Sequence, residues 1–240
     1  MSGTWPLYST QAARALDQRA THALGGDAYV LMQRAGQVAW QHVLQHWPEA
    51  QRIVVVCGPG SNGGDGYVLA RHAHRAGRSV DVVHLRSHVP GNPVAQRACT
   101  EYVAAGGRVA LFEAVLPHAD LVVDALFGIG LSRAPEGEAR ALIEAVNTQA
   151  APVFALDVPS GVDADRGSAP GAAVLATRTL QFIVSFGIML YLLFFLLQCF
   201  LLLLVCGLSR LLLQLLRGLN LLRLLCHIFF FTSRDIACFM

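Results

Sequence analysis

There is no lysine anywhere in these 240 residues, and all 18 basic side chains are arginine. A phosphate loop of the Walker type needs Gly-Lys-Ser/Thr, so that class of nucleotide-binding protein is excluded at once. Cysteine is scarce as well. The six cysteines include no C-x-x-C pair, which argues against a zinc ribbon or a dithiol redox centre and makes a reducing, cytoplasmic compartment the expectation. Residues 1–6 are short and polar, without the apolar run an export signal needs. Charge is thin, with 14% charged residues, and residues 1–180 hold 14 Arg against 15 Asp and Glu. With neither a basic stripe nor interleaved aromatics, nucleic acid is not an expected partner.

What is present is organised around one stretch. Residues 53–57 form an unbroken, largely β-branched apolar run, which suits a strand buried on both faces of a parallel sheet. It empties into Gly58-Pro59-Gly60-Ser61-Asn62-Gly63-Gly64-Asp65-Gly66. From Asp65 to Ala76 the apolar positions Val68, Leu69, Ala73 and Ala76 fall at helical spacing. A strand, a glycine turn and a helix N-terminus make an anion site, because glycine backbone allows close approach and the first-turn amides carry the positive end of the dipole. Gly58, Gly60 and Gly63 satisfy the dinucleotide pattern G-x-G-x-x-G, and Asp81 lies about where an acidic ribose partner is expected.

The rest of the chain alternates βαβα. Ser9 or Thr10 is placed to cap a helix running to about Leu24, and Asp27 to cap a second that Pro48 stops. Strands are expected near 80–85, 108–111, 121–124 and 153–157, with helices ending near Ala105 and spanning 137–148. Such alternation implies a Rossmann-like three-layer αβα sandwich with a mostly parallel sheet, two N-terminal helices, and ligands at the carboxyl ends of the strands. Cys57-Gly58, Asp124 and Asp157 all fall at such ends. Taken alone, the two aspartates could equally cap turns. Asp163 and Asp165 read as turn residues. His42 and His46 are four apart but lack the glutamate of a zinc protease motif, and they read as surface histidines.

Three segments in order carry a resemblance to a known family. Residues 61–66 resemble the Asn-Asn-Gly-Gly-Asp-Gly signature of the YjeF N-terminal domain family, the NAD(P)H-hydrate epimerases, with Ser61 in place of the first asparagine. Val123-Asp124-Ala125-Leu126-Phe127-Gly128-Ile129-Gly130-Leu131 is similar to that family's second signature, and Leu156-Asp157-Val158-Pro159-Ser160-Gly161-Val162-Asp163-Ala164 to its third. Residues 31–36 resemble its upstream helix, with Gln33 where glutamate is common. The resemblance covers residues 8–183 and implies interconversion of the C6 epimers of hydrated NADH or NADPH (NADHX and NADPHX), a homodimer, and potassium as cofactor. It implies that Ser61, Asn62, Gly63, Gly64, Asp65, Gly128, Ile129, Gly130, Leu131, Ser132, Arg133, Ala134 and Asp157 contact the dinucleotide. Asp157 is the expected acid/base, although sequence alone does not rank it above Asp124. Asn62, Asp124 and Ser160 are the expected metal ligands, and their hard oxygens favour an alkali or alkaline-earth ion over zinc. A dehydrogenase and a non-catalytic scaffold remain the alternatives.

The resemblance stops near residue 184. From 188 to 206 the polar side chains are Tyr191 and Gln198 alone, a run long enough to span a membrane. The chain thus divides into a domain at 1–183 and a leucine-rich tail at 184–240. The tail is either a membrane segment or, since the change falls within a predicted strand, a foreign sequence such as a frameshift product; the second is the expectation, and membrane contact follows only from the first.

Overall fold

A computed structural model describes residues 9–131 and 133–182; the leucine-rich tail lies outside the described residues, as does Ser132. Ser9 caps α1 (Thr10–Ala23) through its side chain, and Asp27 caps α2 (Ala28–His46) in the same way, each supplying an acceptor to a first-turn amide that no helical carbonyl reaches. There follow β1 (Arg52–Cys57), α3 (Ser61–Arg75), β2 (Ser79–His84), α4 (Pro93–Ala104), β3 (Arg108–Leu111), β4 (Leu121–Ala125), α5 (Gly137–Asn147), β5 (Val153–Leu156) and β6 (Arg178–Leu180).

The six strands form one sheet in the order β3-β2-β1-β4-β5-β6, with every pairing parallel. From β1 the chain builds outward to β3 on one side, then returns to build β4 to β6 on the other. The loops leaving β1 and β4 therefore diverge above a crevice, the place where open parallel sheets bind ligands. Both faces are covered, as the near-continuous apolar strands require. Val54, Val56, Val83, Val122 and Val153 pack with Leu142, Ile143 and Val146 of α5. On the opposite face α3 lies between α2 and α4.

Three expectations change. Helix α3 begins at Ser61 rather than Asp65, so residues 61–66 are its first turns and not a loop. Their glycines exist for packing: a Cβ on Gly63 would stand 1.9 Å from the Gly58 carbonyl oxygen, and one on Gly66 would stand 2.6 Å from Ala125 Cβ. Asp81 sits in the body of β2, aligned with Val54 and Arg108 and ion-paired to Arg108 at 3.0 Å. It is too far from the carboxyl end of its strand to meet a ribose there. His42 is not a surface histidine. It is 4% exposed and stacks on Phe154 with ring centroids 5.1 Å apart, and burial lowers its pKa to about 4. Strand β6 pairs with β5 at one side of the sheet. Among the described residues no helix is long and apolar enough to cross a membrane, and Cys57 and Cys99 are free thiols.

Candidate active site

Three chain segments converge at the carboxyl edge of β1, β4 and β5. The first is the start of α3, where Gly60 is the N-cap and offers no side chain. The amides of Ser61, Asn62 and Gly63 precede the first i→i−4 bond, from Gly64 to Gly60 at 3.2 Å, and they form the positive end of the helix. The turn before them is held tightly. Gly58 donates to the Ala125 carbonyl at 3.0 Å, and a Cβ on Gly58 would stand 1.7 Å from Leu126 O.

Asp124 ends β4 and is 1% exposed. Its Oδ1 accepts from the Ser160 hydroxyl at 2.6 Å and the Leu126 amide at 3.2 Å, and its Oδ2 accepts from the Ser160 amide at 2.8 Å. Burial raises its pKa to about 6, against these hydrogen bonds, which favour the charged form. Ser160 also receives the Phe127 amide at 2.8 Å and lies 3.1 Å from the Phe127 carbonyl. The next residue, Gly161, has φ of +99°, and a Cβ there would stand 2.2 Å from Ala172 O. Only glycine fits, and this turn is what aims Ser160 at Asp124.

Asp157 follows β5 with φ of +68°, a left-handed conformation that aspartate and asparagine tolerate better than most residues. Its amide donates to Leu180 O at 2.8 Å, and its Oδ2 accepts from the Ile129 amide at 2.8 Å. Oδ1 has no partner among the described residues. Gly128 lies directly against this carboxyl: a Cβ there would stand 2.3 Å from Asp157 Oδ2 and 3.4 Å from Asn62 Cβ. Gly128 is thus the point at which the β4 loop, the α3 turn and Asp157 meet.

The amide of Asn62 is buried, and neither its Oδ1 nor its Nδ2 has a partner among the described residues. An amide left so in a close-packed site is costly unless a ligand completes it. The Asn62 carbonyl, the Asp124 carboxylate and the Ser160 hydroxyl are all hard oxygens, the ligand type that alkali and alkaline-earth ions take. Among the described residues no group of three or more His, Cys, Asp or Glu side chains is set to hold a metal.

Two further carboxyls surround Asp157. Asp65, in the second turn of α3, is half-buried, and its pKa is pushed well above the ordinary range by desolvation and then by the charges of Asp157 and Asp17. Asp17 of α1 is exposed, yet its pKa is raised by partial desolvation and by Asp157. Asp157 itself is raised by burial, and the Ile129 amide opposes the shift. A cleft of about 480 Å³ is walled by α1 at Thr10, Arg14 and Gln18, by residues 129–131, and by the turn at 163–165, and its wall residue Ile129 is the one that donates to Asp157.

Of the residues expected from sequence, Asn62, Asp65, Gly128 and Asp157 come together, and Ile129, Gly130 and Leu131 line the cleft. Ser61 is exposed at the head of α3. Gly64 is a packing residue, since a Cβ there would strike Met32 of α2 at 2.3 Å. Ala134 is turned toward Gly171 and Arg133 to solvent, while Ser132 lies outside the described residues. Sequence reasoning missed the contribution of α1. It depends on a contact across 155 residues: the Thr10 amide and hydroxyl donate to Asp165 Oδ1 and Oδ2, each at 2.8 Å. The polar positions 10, 14 and 18 recur every four residues, the one local signal that this helix presents a wet face to something.

Comparison with known proteins agrees with this geometry. The family described as YjeF-related protein N-terminus matches residues 28–189. The chain is 42% identical over 171 residues to the NAD(P)H-hydrate epimerase of Limosilactobacillus fermentum, covering 70% of this chain and 81% of that protein. It is 40% identical over 168 residues to the bifunctional NAD(P)H-hydrate repair enzyme Nnr of Escherichia coli, covering 70% of this chain and 33% of that protein, so it spans about a third of the bifunctional enzyme. The crystal structure of yeast ynu0 superposes with a TM-score of 0.63 at 22% identity, over 72% of this chain and 79% of that one, which bears on the fold alone. With the signature residues gathered at one sheet edge and the match extending over two thirds of its length, the chain belongs to the YjeF-related N-terminal domain family.

Proposed function

We propose that this protein is an isomerase that interconverts the two C6 epimers of hydrated NADH and NADPH, with Asp157 as its acid/base. The observation that carries the assignment is the state of that carboxyl: one oxygen is anchored by the amide of Ile129, a residue of the cleft wall, and the other has no partner among the described residues. Relatives 42% and 37% identical to this chain are named as NAD(P)H-hydrate epimerases.

The carbon to be inverted bears a hydroxyl and the ring nitrogen. In one route a protonated carboxyl donates to the departing hydroxyl, the C6–O bond breaks as the nitrogen lone pair forms C=N, and water adds from the opposite face, returning a proton to the carboxylate. In the other route the carboxylate takes the hydroxyl proton, C6=O forms as the C6–N bond breaks with its electron pair left on nitrogen, which takes a proton, and reclosure reverses each transfer on the other face. Both routes need a carboxyl that exchanges protons near neutrality. Burial raises the pKa of Asp157 above the ordinary carboxylate value against the pull of the Ile129 amide, a shift in the direction both routes need. The open amides at the start of α3 are suited to the dinucleotide pyrophosphate.

Asn62, Asp124 and Ser160 would hold a potassium ion, as the family resemblance implies and as the unpartnered Asn62 amide fits. Such an ion supplies a fixed positive charge that offsets Asp124 and ties the loops after β1, β4 and β5 together. The experiment is to supply a single hydrate epimer and follow appearance of the other by chromatography, for the parent and for Asp157→Asn. Failure of the parent to equilibrate the epimers overturns the proposal.

A further inference from the structure

The cleft has a wall that the proposed reaction does not yet use. Helix α1 presents Thr10, Arg14 and Gln18 to it, and Arg14 is the one basic residue lining it. The Arg14 guanidinium lies against the β4 loop, with Nη2 3.5 Å from where a Cβ on Gly130 would stand. It makes no hydrogen bond or ion pair among the described residues. The acidic groups of the opposite wall have their oxygens bonded to other donors, although the charge of Arg14 helps to lower the pKa of Asp165. Asp165 gives both oxygens to Thr10, and Asp163 accepts from the Asp165 and Arg166 amides at 3.0 and 3.1 Å and from the Arg166 guanidinium at 3.0 Å. An arginine held at a cleft mouth beside the glycine backbone, with its donors open, is arranged to receive an anion. Its planar fork matches phosphate oxygens in particular.

Geometry fixes how this arginine relates to the chemistry. Ile129 donates to Asp157 Oδ2, and the next residue, Gly130, lies against Arg14. A ligand that reaches both the open oxygen of Asp157 and Arg14 therefore runs along residues 129–131. Resting on the epimerase reading, we infer that Arg14 is a substrate-binding residue that holds a phosphate group of the dinucleotide, which makes α1 part of the binding site. Two sources supply that chemistry, the pyrophosphate bridge common to both cofactors and the 2′-phosphate found in the NADP form alone.

The test compares the parent with Arg14→Gln and Arg14→Lys, using hydrated NADH and hydrated NADPH as substrates. Arg14 is exposed, so the variants should keep the parent's melting temperature, and thermal unfolding verifies this. Arg14→Gln is expected to raise KM by about 10- to 100-fold, the effect of removing one charge-assisted hydrogen bond, while kcat stays within about twofold, as loss of uniform binding requires. Arg14→Lys should recover part of the loss by restoring charge without the fork, and added salt should shrink the difference between parent and Gln variant. A loss shared by both substrates assigns the pyrophosphate, and a loss confined to hydrated NADPH assigns the 2′-phosphate. An unchanged KM for both substrates, or a loss expressed in kcat alone, overturns the inference. Calorimetric titration with NADH and NADPH reads the same contact without turnover. If the parent binds both yet does not epimerise, the reaction assignment fails while the Arg14 contact is still decided by the Kd of the Gln variant.

Discussion

Gly60 and Gly63 occupy equivalent-looking places in G-x-G-x-x-G, but the structure gives them opposite sensitivities to one methyl group. Around Gly60 nothing stands within 4 Å of an added Cβ, whereas at Gly63 the added carbon meets the Gly58 carbonyl oxygen at 1.9 Å, about 1.5 Å inside ordinary contact. Helix propensity favours Gly63→Ala by up to about 1 kcal/mol. The clash is with backbone, and overpacking of that kind costs about 1–3 kcal/mol or somewhat more; relief requires α3 to lift from the β1 loop. A net loss of about 2 kcal/mol lowers the melting temperature by roughly 4–8 °C for a domain of this size. Gly60→Ala forfeits an N-cap preference worth under about 1 kcal/mol, but its methyl points into the space that a pyrophosphate would need. The expected result is a crossed pattern, in which Gly63→Ala melts early while Gly60→Ala melts near the parent and shows a KM raised at least about tenfold. Thermal unfolding and initial-rate kinetics on the hydrates measure the two axes. Gly60→Ala with the parent's KM would refute the placement of the dinucleotide at α3, and Gly63→Ala with the parent's melting temperature would refute the packing argument.

Asp157→Asn should abolish epimerisation with the fold intact, since asparagine keeps the left-handed backbone and the acceptor for Ile129; activity equal to the parent on one epimer would count against the role. The pKa of Asp124 is raised from 3.8 to about 6 by burial, so its contribution to stability is fully present below 3.8 and is lost as pH rises through about 6, by roughly 3 kcal/mol in all. In buffers free of small cations, urea titrations at pH 4.5 and 7.5 should show about 2 kcal/mol of that loss from Asp124, and Asp124→Asn should shrink the pH dependence by that share, leaving the part due to Asp65, Asp157 and Asp17. Potassium added at pH 7.5 should restore stability, and a bulky organic cation should not; equal effects of the two would remove the proposed cation site. Asp165→Ala, which deletes both acceptors of Thr10, should speed hydrogen exchange in α1 while leaving α3 protected.

Much of the fold is written in local chemistry. Ser9 and Asp27 cap the helices they were expected to cap, and β1, β3, β4 and β5 lie within a residue or two of the apolar runs that announced them. The misplaced start of α3 has a clear cause. Three glycines in six residues argue for a loop on propensity alone, and only the crowding of Gly58, Met32, Ala125 and Cys57 around them explains why a helix needs them there. Propensity lost to tertiary packing. Strand β6 offers Arg-Thr-Leu, three residues, too few to show a period. His42 escaped because an imidazole among alanines and valines has no sequence mark of the Phe154 ring that waits for it. The acidic cluster was half visible, with Asp65 and Asp157 inside signatures, but Asp17 joins them only because Asp165 tethers α1 from across the chain.

The two aspartates that sequence left unranked are separated by the supply of donors around them. Asp124 and Asp157 end neighbouring parallel strands and are both raised by burial. Asp124 is met by three donors, two of them from Ser160, and those bonds close around it. To carry a proton in a reaction it would have to break them, each a buried bond whose loss costs about 1–3 kcal/mol. Asp157 is held by one amide through one oxygen, which fixes its orientation, and keeps the other without a partner among the described residues. An anchored carboxyl with a free oxygen suits proton transfer, because the geometry is set before substrate arrives and nothing must be undone. A saturated carboxylate beside an unpartnered amide suits a fixed charge balance. On this reading Asp124→Asn and Asp157→Asn fail differently: the first through stability and cation dependence, the second through turnover in a protein that still folds and binds.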